Sequence, residues 1–174
     1  MESDAFTLYK LIILFLLSKV DFPLTNAQIL NIILDLDYTN YFNIQYSISE
    51  LYDSELITNQ KVGNKSYYRI TELGMETLSF FNNLISQAIQ DEILEHLKKN
   101  QYSLRDEVST LSEYFKLKGN DYMVRLRVIE SKEPIIDLSI TVPSEDDAIN
   151  ICDNWGDQSQ QVYAYILTNL LKRK

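Results

Sequence analysis

The 174-residue chain has little of several residue types that define whole classes of protein. A single cysteine, Cys152, excludes a disulfide framework, and a single histidine, His96, excludes a site built from several histidines. Four glycines and three prolines are too few for a collagen-like repeat or a glycine-rich phosphate-binding loop. We therefore expect an ordered protein of the reducing cytoplasm.

Positive charge and long apolar segments are also scarce. Lys and Arg number 16 against 25 Asp and Glu, so the net charge is -9 and the protein is not basic overall. The longest apolar run near the N-terminus, residues 11–17, is far shorter than the roughly 20 residues of a membrane span. Glu2 and Asp4 precede it, unlike the basic start of a secretory signal. We expect no membrane partner.

No arrangement of residues predicts an enzyme. The motifs H-E-x-x-H, C-x-x-C and G-x-S-x-G do not occur, and neither does the Walker motif. Cys152 is better explained as a small buried side chain than as a nucleophile. The acidic residues 145–147 suit the start of a helix better than a calcium site. We therefore expect no catalytic site, no cofactor and no metal.

The first part of the chain shows one helical period after another. Apolar residues at helical spacing predict three helices: residues 9–20, 26–36 and 40–55. Thr25 is expected to cap the second helix and Thr39 the third, because a threonine hydroxyl can accept from a free backbone N–H. Three helices joined by short turns predict a compact trihelical unit.

The period then changes to that of a hairpin. Alternating residues predict strands at 56–62 and 66–70, with a tight turn at Gly63-Asn64. Thr71 is expected to cap a long helix that continues to about residue 99. Such a helix is longer than a small domain needs, so it predicts a connector or a dimer contact.

The remainder of the chain has a different pattern. Three strands and two helices are predicted at residues 111–118, 122–128, 136–142, 144–155 and 157–170. Gly156 is expected to end the first of these helices. The economical arrangement is a small antiparallel sheet covered by two helices.

Three helices followed by a hairpin resemble the winged helix-turn-helix. The likeness is carried by SELYDSELIT (residues 49–58) and YRITELG (residues 68–74). On these residues the chain resembles winged-helix transcriptional regulators of the PadR and MarR-like kind over about residues 5–82. The segments IIDLSITVP (135–143) and ICDNW (151–155) are similar to the second half of a two-domain winged-helix family of unknown function. The resemblance implies an architecture and a regulatory role.

The prediction is therefore an α+β fold in three parts. A winged-helix domain is expected at residues 1–82 and an extension of the long connecting helix at 83–100. Residues 101–174 are expected to form an α+β domain for dimerisation or sensing.

Two surfaces of this fold are expected to contact DNA. Asparagine can pair with adenine, while hydroxyl groups and basic side chains reach phosphates. The residues concerned are Asn40, Asn43, Tyr46 and Ser47 on the third helix, and Lys61, Lys65, Tyr67 and Arg69 on the hairpin. Residues 57–71 contain no acid, and Tyr67 and Arg69 are expected to share one strand face.

Charge limits the strength of this interaction. Residues 1–80 hold five Lys and Arg against ten Asp and Glu, and the third helix has no basic residue. Because affinity for DNA depends on phosphate neutralisation, we expect a homodimer that doubles the contacts to double-stranded DNA.

Two other functions stay open. The acidic third helix and its aromatic surface suit a protein-interaction module that does not bind DNA: Tyr38, Tyr41, Phe42 and Tyr46. A small-molecule effector site near Trp155, Tyr163 and Tyr165 is a further hypothesis, although core packing explains these aromatic residues more simply.

Overall fold

The computed structural model describes residues 2–172, with side chains from residue 4, as an α+β chain with two small antiparallel sheets. The chain divides into a first compact unit that ends at Arg105 and a second that begins at Asp106. No helix among the described residues has the length and apolarity needed to cross a membrane.

The first unit contains the predicted helices and hairpin. Its elements are α1 (Glu2–Ser18), β1 (Leu24–Thr25), α2 (Asn26–Asp35), α3 (Tyr41–Asp53), β2 (Ile57–Val62), β3 (Lys65–Ile70), α4 (Glu72–Phe81), a 3-10 turn (Asn82–Leu84) and most of α5 (Gln87–Ser109). Residues 11–17 of α1 are each at most 3% exposed, so this apolar run is the centre of the core.

A three-stranded sheet lies beside these helices in the order β1-β3-β2. The two-residue strand β1, which sequence patterns did not predict, pairs Thr25 with Tyr67. Val62 pairs with Lys65, so the predicted two-residue turn is confirmed, and Gly63 takes a positive φ of 59° there. The pairing with β1 makes β3 the central strand.

Side-chain caps begin the helices of this unit. The Thr25 hydroxyl accepts from the backbone N–H of Gln28 at 3.1 Å, as predicted. The cap of α3 is Asn40 instead of the predicted Thr39, because the Asn40 side-chain oxygen accepts from the backbone N–H of Asn43 at 3.0 Å. The Thr39 hydroxyl accepts from the side-chain amide of Asn43.

The continuous helix expected from Thr71 to about residue 99 is wrong. α4 ends at Phe81, the 3-10 turn follows, and Ile85 is extended with φ -91° and ψ 117°. Ser86 favours such a break because its side chain hydrogen-bonds locally to the backbone: its hydroxyl accepts from the N–H of Ile89 at 3.3 Å. The extension expected over 83–100 is therefore a separate helix, α5.

α5 also continues through the segment expected to be a polar junction. It ends at Ser109, beyond the predicted end of the helix. Ile93, Leu97, Leu104 and Val108 are all buried along it. Their spacing of four, seven and four residues keeps them on one face of the helix, so packing outweighs the polar composition of the segment.

The second unit is a sheet with one covering helix. Its elements are β4 (Thr110–Lys116), β5 (Tyr122–Glu130), β6 (Glu133–Val142) and α6 (Glu145–Leu170), with strand order β4-β5-β6. The expected pair of helices is wrong, because α6 passes through Gly156 without a break. Ala148, Trp155 and Ser159 are buried at helical spacing on both sides of that glycine, and their packing offsets the roughly 1 kcal/mol cost of a helical glycine.

Trp155 lies in the core of this second unit. It is 3% exposed, and its indole N–H donates to the backbone carbonyl of Arg127 at 3.1 Å. Val124 and Leu126 of the sheet are buried in the same cluster, and Tyr163 packs against it. Tyr165 is 71% exposed, so the three aromatic residues considered for an effector do not line one site.

Candidate nucleic-acid interface

α3 presents one face to the core of the first unit and the opposite face to solvent. Ile44, Ile48 and Leu51 are at most 3% exposed, and α1 packs against this helix. On the other side Phe42 is 78% exposed and Tyr46 is 52% exposed. The outward face of α3 is therefore aromatic and polar, with no basic residue.

Tyr46 is held toward α1. Its hydroxyl donates to the Glu50 carboxylate at 3.0 Å, and its ring meets the ring of Phe6 at a centroid distance of 5.1 Å. The hydrogen bond from Tyr46 and the bond from the Lys10 ammonium at 3.3 Å lower the pKa of Glu50. Glu50 therefore stays ionised at neutral pH, and Lys10 partly balances its charge.

The two asparagines lie at the start of α3, where they serve the helix cap. The Asn40 side-chain oxygen is occupied by the backbone N–H of Asn43, while its own amino group forms no hydrogen bond among the described residues. The Asn43 amino group donates to Thr39 at 2.9 Å. The exposed Asn40 amino group thus keeps a free donor, whereas Asn43 would have to exchange a bond to contact a base.

Ser47 and Tyr67 do not lie on the surface where we expected them. Ser47 is fully buried, between the core positions Ile44 and Ile48 of α3. Tyr67 is 6% exposed because it lies on the central strand of the sheet, paired with β1 on one side and β2 on the other. Neither side chain can contact a nucleic acid without a rearrangement of the core.

The hairpin of β2 and β3 carries the basic residues outward. Lys61 pairs with Ser66 and Lys65 with Val62, so the two lysines flank the turn on opposite faces of the hairpin. Arg69 shares the face of Lys65, and its guanidinium donates to the backbone carbonyl of Asp21 at 3.3 Å. Lys61, Lys65 and Arg69 are all exposed. The hairpin is therefore a small positive surface, with the two lysines at its tip and Arg69, opposite Thr58, near its other end.

No acidic side chain neutralises this surface. The ion pairs formed among residues 4–172 involve other residues, and Lys61, Lys65 and Arg69 take part in none of them. The strands and turn between residues 57 and 70 contain no Asp or Glu. The three cations are thus free to pair with an external anion.

The match to a protein family covers nearly the whole chain. A family model described as "Domain of unknown function (DUF4364)" matches residues 9–170. The chain belongs to the DUF4364 family. No curated protein matches the chain, and no solved structure matches it either. Membership agrees with the expected family of unknown function, whereas the winged-helix arrangement and the likeness to PadR and MarR-like regulators stay predictions.

This DUF4364 chain brings some of the predicted residues together and adds others. The register of the hairpin places exposed Thr58 and Gln60 on the same face as Lys65 and Arg69. The alternation of residues along a strand could have placed Thr58 and Gln60 on this face from the sequence. Within residues 4–172 no group of three or more His, Cys, Asp and Glu is arranged to hold a metal ion. The positive charge of the hairpin makes it a candidate site for an anionic ligand.

Proposed function

We propose that this protein is a cytoplasmic winged-helix transcriptional regulator that binds double-stranded DNA as a homodimer. The order of the first unit supports the winged-helix arrangement: α1, β1, α2, α3 and then the hairpin β2-β3. The pairing of β1 with β3 supports this arrangement further. Through this pair, β1, which directly precedes α2, joins the two hairpin strands in one three-stranded sheet. In such a domain α3 enters the major groove and the hairpin contacts the backbone.

The unneutralised hairpin is the observation that carries the proposal. Lys61 and Lys65 flank its turn, Arg69 lies on the same face as Lys65, and no acid lies on either strand. Lys61, Lys65 and Arg69 form no ion pair among residues 4–172, so they keep their full charge for phosphates. In a chain with net charge -9, a local concentration of basic residues points to a specific anionic ligand.

α3 contributes hydrogen bonds but no positive charge. Asn40 has a free amino group at the exposed start of the helix, and Tyr46 is exposed beside Glu50. Contacts of this kind can distinguish bases but add little affinity. A homodimer doubles the three hairpin cations, which is why the proposal includes two copies.

A binding assay on hairpin variants tests the proposal. We would measure fluorescence anisotropy of a duplex from upstream of the protein's own coding sequence, with the double variant Lys61→Ala and Lys65→Ala. A dimer loses four cations, so the slope of log K against log salt is expected to flatten by about 3.6 if each cation pairs with one phosphate. The matched control removes the exposed Lys116 and Lys118 of the second unit and should leave the slope unchanged. Equal slopes in both variants would refute the role of the hairpin.

A protein-interaction module is the second function that specific residues favour. Tyr41 is 51% exposed, Phe42 78% and Tyr52 50%, and the rings of Tyr41 and Phe42 meet edge to face at 5.6 Å. Exposed aromatic residues are enriched at protein interfaces. Tyr38 is less available, because its hydroxyl donates to the Glu92 carboxylate.

A pull-down with one aromatic variant distinguishes this second function from DNA binding. Phe42→Ala should lose a stoichiometric partner that the wild-type protein retains. Tyr102→Ala is the control, since Tyr102 is 85% exposed on α5. Loss of the partner in Phe42→Ala alone, together with no DNA binding at low salt, would establish the interaction module instead.

A further inference from the structure

The second unit has a free sheet edge. β6 pairs with β5 on one side and with no other strand among the described residues. In an antiparallel sheet, alternate residues of such an edge strand direct their N–H and C=O groups away from the sheet. These groups form a template for another strand unless the edge is protected.

α6 packs closer to β4 than to β6. The Ser112 hydroxyl of β4 donates to the Cys152 carbonyl of α6 at 3.3 Å, and the Tyr114 hydroxyl donates to Glu145 at 3.2 Å. On β6 the residues that face α6 become more exposed along the strand, from Ile136 at 8% to Ile140 at 42%. An apolar side chain is therefore exposed along the free edge.

Between residues 136 and 142, β6 also lacks the usual devices that prevent edge pairing. Pro134 and the β-bulge lie at its N-terminal end, where the register shifts between Val128 and Ile129 of β5. From residue 136 to 142 the only charged side chain is Asp137, and Arg125 of the same sheet binds it through two hydrogen bonds at 2.7 and 3.0 Å. The seven residues from 136 to 142 therefore form a regular strand segment whose single charge is paired within the same sheet.

We propose that two copies of this chain pair their β6 strands antiparallel about a two-fold axis at Ser139, which joins two three-stranded sheets into one of six strands. The inference rests on the proposed function, which requires two copies of the chain, and it identifies the surface that joins these copies. Ser139 is the middle of the regular segment from residue 136 to 142, so a symmetric pairing centred there uses all of it.

The segment is complementary to itself in this register. Leu138 lies opposite Ile140 of the partner subunit, and Ile136 lies opposite Val142 of the partner subunit, so apolar residues meet on the face that carries α6. Asp137 lies opposite Thr141 of the partner subunit, and no two like charges are opposed. A foreign strand would need to reproduce this alternation, whereas a second copy supplies it.

Site-specific disulfide formation tests the register. In a Cys152→Ala background, which has no other cysteine, Ser139→Cys places two thiols directly opposite each other across the axis. Opposed Cα atoms in antiparallel strands are about 4.5–5.5 Å apart, within the range of a disulfide. Thr141→Cys is the matched control on the same exposed face, because the two copies of residue 141 are then roughly 13 Å apart.

We expect Ser139→Cys to form a covalent dimer under mild oxidation and Thr141→Cys to stay uncross-linked. Wild-type protein should sediment at twice the chain mass of 20.3 kDa in the absence of DNA. A monomer at every concentration, or equal cross-linking at both positions, would overturn the proposal. A dimer that resists the Ser139→Cys link but dissociates in Phe80→Lys would also overturn it, in favour of the exposed surface of α4, where Phe80 is 79% exposed.

The outcome is separable from that of the proposed function. Self-association is read without DNA, and DNA binding is read by anisotropy. A covalent dimer that binds no duplex would refute the regulator and leave the strand pairing in place. Tight DNA binding by a protein that never associates would refute the strand pairing alone.

Discussion

Gly74→Ala is expected to destabilise the first unit through one steric contact. A Cβ atom at position 74 would lie 2.2 Å from the carbonyl oxygen of Leu56 and 2.8 Å from Cγ1 of Ile70. The first of these neighbours is backbone, so it cannot move aside as a flexible side chain would. At Gly74 the start of α4 thus lies too close to the chain that leaves α3 for a side chain to fit.

The size of the effect follows from three contributions. Forcing a methyl group into a packed site costs about 1–3 kcal/mol. The hydrogen bond from the Thr71 N–H to the Leu56 carbonyl, now 3.1 Å long, is strained as the segments separate and loses up to about 1 kcal/mol. Alanine regains about 1 kcal/mol of helix propensity. The net expectation is a loss of up to about 3 kcal/mol in the free energy of unfolding, of which the steric cost of the contact with Leu56 is the largest part.

Urea unfolding followed by far-UV circular dichroism measures this loss, and another glycine of the chain provides the control. Gly156 is also helical, but a Cβ atom there would meet nothing within 4 Å. Gly156→Ala should therefore leave stability unchanged or raise it by up to about 1 kcal/mol. If Gly74→Ala were as stable as Gly156→Ala, the close approach to Leu56 would be refuted.

Three further predictions concern single side chains. Thr71→Val removes the hydroxyl that accepts from the Gly74 N–H at 3.0 Å and donates to the Glu55 carbonyl at 2.8 Å, so urea unfolding should show a loss of about 1–2 kcal/mol that Thr71→Ser largely avoids. Trp155→Phe leaves the Arg127 carbonyl without its indole donor, so the second unit should lose about 1–3 kcal/mol by the same assay; an unchanged midpoint would contradict the hydrogen bond. Burial raises the pKa of the Cys152 thiol, so less thiolate is present at a given pH and alkylation at pH 8 should be slower than for a free cysteine until urea unfolds the chain. Alkylation at the rate of free cysteine in the native protein would show that this thiol is accessible.

In the first unit, local sequence signals predicted the helices and the hairpin better than they predicted the contacts between these elements. Helical spacing was enough for α1, α2 and α3, and the Gly63-Asn64 turn was enough for the hairpin. The two-residue strand β1 gives no periodic signal, because its existence depends on pairing with Tyr67 and Tyr68. Tertiary pairing therefore decided which residues of β3 are buried, and Tyr67 was misassigned to the surface.

The remaining errors have the same physical origin. Ser47 is polar, so composition alone favours solvent, yet its position on the helix falls within the buried stripe beside Ile44 and Ile48. Gly156 favours a helix end locally, but burial of Trp155 keeps α6 continuous. Long-range packing outweighs local preferences of about 1 kcal/mol at such positions. The exposure of the hairpin cations was predictable, because charged side chains are seldom buried without a partner.

Salt-dependent DNA binding by the wild-type protein tests the central claim most directly. Anisotropy of the upstream duplex and of a scrambled duplex would be recorded over a series of salt concentrations. If all three hairpin cations of each subunit contact phosphates, the slope of log K against log salt is about -5 for the homodimer, and the upstream duplex binds more tightly than the scrambled one. Absence of binding at low salt, or an affinity that does not change with salt, would contradict the proposal that this DUF4364 protein acts through its hairpin on DNA.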